Sequence, residues 1–72
     1  MMHLQPDEIE IINAVRFLER QGTKAFPKYV MALYPFKVAE FTLRRKMRDL
    51  WLRGWLERPG GANARRGYRV LV

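Results

Sequence analysis

Residues 42–58 read TLRRKMRDLWLRGWLER, and the placing of the apolar residues in that stretch decides the fold. Leu43, Met47 and Leu50 recur at spacings of four and three, the repeat of one face of an α-helix. Ala39 falls on the same side, so the pattern predicts a helix over residues 39–53. On a wheel of about 100° per residue, Phe41, Arg45, Arg48 and Leu52 lie opposite that stripe. Arg44 stands beside them and Trp51 at the border. Gly54 sits where a left-handed C-terminal cap is expected.

Downstream, WLER (55–58) and YRVLV (68–72) read as two β-strands. In the second, Tyr68, Val70 and Val72 share one face by period two, and Arg69 and Leu71 share the other. The stretch between them, PGGANARRG (59–67), is built of turn formers, so the two strands predict a hairpin over 55–72 with Arg65 and Arg66 near its tip. A lone two-stranded hairpin is marginal in water. It therefore needs the helices, and the TKAF segment (23–26) as a further β-bridge, to cover one face.

Upstream, Pro6 followed by DEIEIINAVRFLERQG predicts a first helix over about 6–21. Proline suits its first position, Asp7 and Glu8 favour its dipole, Arg20 lies in the last turn and Gly22 closes it. Ile11, Ala14, Val15 and Leu18 form its core face, with Ile12 on the flank. Ile9 and Phe17 fall on the far side. Pro27 opens a second helix over about 27–34, with Val30 and Leu33 facing inward. It must be short, because Pro35 disfavours helical geometry at Tyr34.

Seventy-two residues with nine aromatics and 49% hydrophobic content make one domain near the lower size limit for a self-supporting core. The longest apolar run, YVMALYPF, is too short to span a bilayer. MMHLQPDE lacks the basic start and apolar middle of a secretory signal. The chain holds no Cys and no Ser, and His3 is its only histidine. Nucleophilic catalysis and zinc coordination therefore lack their parts. The expectation is a cytoplasmic protein that is not an enzyme, with no metal and no cofactor. Charge is unevenly spread: residues 1–40 carry five basic and five acidic side chains, and residues 41–72 carry nine and two, so the whole net +7 lies in the second part. Such asymmetry points to a polyanionic partner.

Thr42, Leu43, Arg44, Arg45, Met47, Leu50, Arg53, Gly54, Trp55, Leu56, Glu57 and Arg58, followed by the Gly- and Arg-rich hairpin, resemble the recognition helix and wing of winged helix-turn-helix DNA-binding domains. The helix order matches too, so the likeness covers nearly the whole chain. It implies an α+β fold, three helices with a C-terminal β-hairpin wing, and sequence-specific binding of double-stranded DNA by a small transcriptional regulator, a repressor before an activator. It places Phe41, Thr42, Arg44, Arg45 and Arg48 toward the major groove, Lys28 and Lys37 on phosphates, and Arg65 and Arg66 on the backbone or in the minor groove. A nucleoid-associated location goes with that role, and no small-molecule effector is implied.

Trp51 and Leu52 stand where the family pattern carries charged residues. With Ile9 and Phe17 they are the candidate contacts of a homodimer, although Trp51 also suits the rim of the core. The rival readings are a protein-interaction winged helix docking an acidic partner, and an RNA-binding module. RNA readers commonly stack bases on aromatic rings, and the outward face here offers only Phe41. Membrane attachment ranks last, because the apolar face of the basic helix is committed to the core.

Overall fold

Helix α1 runs Pro6–Arg20, α2 Pro27–Leu33 and α3 Glu40–Leu52, followed by strands β1 (Leu56–Glu57) and β2 (Arg69–Val70). The computed structural model describes residues 4–58 and 67–71. The strands pair antiparallel, Leu56 opposite Val70 and Glu57 opposite Arg69. The architecture is α+β, three helices then a two-stranded hairpin, in the layout of a winged helix. The segment before α2 joins the hairpin as expected: Ala25 forms an isolated antiparallel bridge with Tyr68, whose N–H donates to the Ala25 carbonyl at 3.1 Å.

The core is the seam read from the periodicity. Leu43, Met47 and Leu50 are fully buried, against Ile11, Ile12, Ala14, Val15 and Leu18 of α1 and against Val30, Leu56 and Tyr68. Both long helices close the same way. At the end of α3 the Trp55 N–H bonds the Leu50 carbonyl at 2.9 Å and the Gly54 N–H bonds that of Trp51 at 3.0 Å, with Gly54 at φ 88°. This is a Schellman closure, in which a left-handed residue turns the chain back over the last carbonyls. It delivers Trp55 and Leu56 straight into the hairpin.

Two expectations need correction. Leu33 does not face inward; it is 42% exposed. Pro35 holds Tyr34 in extended geometry at φ −78°, ψ 127°, which ends α2 at Leu33. The next residue, Tyr34, joins the core instead and is 8% exposed. Burial, and then the nearby Asp7 carboxylate, push its hydroxyl pKa up, so it enters the core as a neutral phenol. Ala39 is likewise not part of the buried stripe. It is the extended N-cap of α3, its carbonyl taking the Thr42 and Leu43 N–H groups, and it is exposed.

Gly67 is held more tightly than any turn former needs to be. Its φ is +78°, and an added Cβ would lie 2.7 Å from the Ala25 nitrogen and 3.1 Å from the Ala25 carbonyl carbon. Backbone cannot swing aside as a side chain can. Gly67→Ala is therefore expected to lower stability by more than the roughly 1–2 kcal/mol of left-handed geometry alone. Gly22→Ala, at a similar φ but with open space around it, should show only that conformational part. Urea midpoints of the two variants would compare them directly, and equal losses would mean the bridge yields freely.

Candidate nucleic-acid interface

Helix α3 has two charged sides, and only one of them meets the acidic first turn of α1. On one side Lys46 Nζ lies 2.7 Å from Asp7, and Arg53 is ion-paired with Glu8 and with Asp49, at 2.9 Å in the second case. Glu8 also takes the Gln5 backbone N–H at 2.8 Å, so the acidic first turn that stabilises the start of α1 doubles as the clamp on α3. These cations are already neutralised within the chain.

The Asp7–Lys46 pair gives a pH signature. The hydrogen bond from Lys46, more than its charge alone, lowers the Asp7 pKa against the opposing effect of burial. The same bond raises that of Lys46. A depressed carboxylate contributes stability that is complete above the ordinary aspartate pKa of about 3.9 and is lost as pH falls through the lowered value. A raised lysine contributes below about 10.4 and loses it as pH rises through the raised value. The pair thus contributes in full, and without pH dependence, around neutral pH and fails at both extremes. Half-exposed pairs of this kind are worth about 0–1 kcal/mol. Asp7→Asn should then lower the melting midpoint at pH 7 by no more than about 4–8 °C and make the descent toward pH 3 shallower, as read by circular dichroism. An unchanged acid slope would remove the pair from the acid response.

On its other side α3 is left cationic. Arg44, Arg45 and Arg48 are exposed, and only Arg44 has an ion-pair partner among the described residues, Glu40 one turn back at 3.0 Å. These three side chains, together with Lys28 at the start of α2 and Arg58 after β1, line a groove of about 590 Å³. Its remaining lining is Phe26, Pro27 and Tyr68. Five cations thus share one open surface, and among the described residues no carboxylate lines it. Like charges so placed repel, by on the order of 1 kcal/mol per close pair even in water, and an incoming polyanion relieves that repulsion.

The residues singled out in the sequence divide into three groups. Lys28, Arg44, Arg45 and Arg48 come together in the groove. Phe41 stands 66% exposed at the leading end of α3, and Lys37 is exposed in the turn before it, both outside the groove lining. Thr42 is turned toward α1, in a second hollow with Glu8, Lys46 and Asp49 that Arg45 also borders. Arg65 and Arg66 lie in 59–66, outside the described residues. Of the candidate dimer contacts, Ile9, Phe17 and Leu52 are exposed, whereas Trp51 is half-buried and packs against the core.

Arg58 is the residue that sequence reasoning missed. It stood in the motif only as one of a charged pair after two apolar residues. Its guanidinium lies over the rings of Trp51 and Tyr68, seven residues before it and ten after, a grouping that no local periodicity exposes. No family model, curated protein or solved structure matches this chain. Function is therefore inferred from the groove itself. Among the described residues, no helix is long and apolar enough to cross a membrane.

Proposed function

We propose that the chain binds double-stranded DNA sequence-specifically and acts as a small transcriptional regulator in the cytoplasm, associated with the nucleoid. Helix α3 enters the major groove, whose width of about 12 Å matches the diameter of a helix with its side chains. The five-cation groove beside it follows the phosphate backbone. One observation carries this reading: the cations of α3 are sorted, with Lys46 and Arg53 consumed by Asp7 and Glu8 while Arg45 and Arg48 stand exposed on the groove side. A merely soluble basic surface has no need of that sorting. Repression is the simpler role, because occupying an operator requires DNA contacts alone.

The test is fluorescence anisotropy with random duplex, single-stranded DNA and RNA at two salt concentrations. Duplex should be preferred, and affinity should fall steeply with salt, because each neutralised phosphate releases counterions. Equal binding of RNA, or a flat salt response, would defeat the proposal. Selecting bound duplexes from a random pool then yields the preferred site, and its symmetry decides between one copy and two.

A further inference from the structure

Arg58 differs from the other cations of the groove in how it is held. Its guanidinium carbon lies 5.7 Å from the centroid of the Trp51 ring and 5.4 Å from that of Tyr68. Trp51 belongs to the last turn of α3, and Tyr68 is buried at the bridge to Ala25. One side chain, set directly after β1, is thus held from the helix and from the residue that precedes β2. It has no carboxylate partner among the described residues. Rings attract the face of a guanidinium and leave its edge, where the N–H donors lie, free to meet a flat or tetrahedral anion in two-pronged fashion. Arg45 and Arg48, by contrast, reach out from an exposed helix face and must be ordered when they bind.

We propose that Arg58, its guanidinium held over the Trp51 and Tyr68 rings, is the pre-positioned phosphate clamp of the groove, its N–H edge taking one phosphodiester of the bound strand. This rests on the reading of the groove as a nucleic-acid surface and sets the register in which α3 meets the bases. A phosphate contact carries no sequence information. Its loss must therefore weaken all duplexes alike.

The experiment measures duplex affinity against salt for the parent, Arg58→Gln, Arg58→Lys and Arg20→Gln, the last removing a charge at the end of α1, away from the groove. Arg58→Gln should lower the slope of log affinity against log salt by about 1 and weaken unrelated duplexes by a common factor of about 10. Arg58→Lys should restore the slope but not the full affinity, since an ammonium lacks the planar fork. Arg20→Gln should leave the slope unchanged.

A second measurement needs no variant. Saturating duplex should protect Arg58 of the parent chain from phenylglyoxal, scored by mass spectrometry, while Arg20 remains reactive. If Arg58→Gln keeps its helical spectrum and the parent's slope, or if duplex leaves Arg58 as reactive as before, the clamp is wrong while the groove reading stands. A parent chain that fails to prefer duplex ends both.

Discussion

Leu50→Asp is expected to abolish cooperative thermal unfolding. Leu50 is fully buried, and it lies where the α3 seam meets α1 and the start of the hairpin. A carboxylate placed there either ionises at a cost of several kcal/mol or stays protonated with its polar atoms unpartnered. A domain of this length has about 4–11 kcal/mol in total, on the usual 0.05–0.15 kcal/mol per residue. Leu50→Ala, which leaves a cavity rather than a charge, should cost about 2–5 kcal/mol and keep a transition at lower temperature. Circular dichroism melts of the two variants would check this. A Leu50→Asp chain melting near the parent would mean that the Leu43–Met47–Leu50 face is not the core.

The second large effect falls on binding. Arg45→Ala and Arg48→Ala should each cost about 1–3 kcal/mol on the preferred duplex if the residue reads a base, and the double variant should lose most specific affinity. Because the two side chains are neighbours on one helix face, the losses need not add. Whichever residue reads a base will relax preference at one position of the site; one that holds phosphate will weaken every sequence equally. Both are exposed, so folding stability should change by no more than about 0.5 kcal/mol. Lys46→Gln removes the same unit of charge from the same helix, but from the side paired with Asp7, and should affect binding far less. Equal losses for Lys46→Gln and Arg45→Ala, in anisotropy titrations at one salt concentration, would show that total charge and not placement governs affinity.

What was legible in the sequence follows the range of the interactions involved. The α3 seam, the α1 core face and the glycine closures all rest on local periodicity or on residues with distinctive backbone freedom. Leu33 was misjudged because a helix of only seven residues ends before its second inward turn. Pro35, correctly read as the terminator, also holds Tyr34 extended, and it is Tyr34 that is buried. Ala39 failed for a related reason, since a capping residue has left the helical wheel that assigns its face. In the candidate interface the exposed arginines were visible from spacing. Their separation from Lys46 and Arg53 was not, because it depends on Asp7 and Glu8, which stand 39 and 45 residues away in sequence. Arg58 escaped notice because its setting is assembled by three segments at once.

Strand β2 has a temporal consequence. Tyr68, just ahead of it, bridges to Ala25, the strand itself pairs with β1, and its Val70 N–H donates to the Glu19 carboxylate of α1 at 2.8 Å. Each of these contacts joins it to chain made much earlier. During synthesis the helices can form turns as they leave the ribosome, but the sheet and its anchor close only once residues 68–70 have emerged. Until then the nascent domain exposes Leu56 and its neighbours to water, chaperones and proteases, so the fold is sealed by β2, the later-made of the two paired strands.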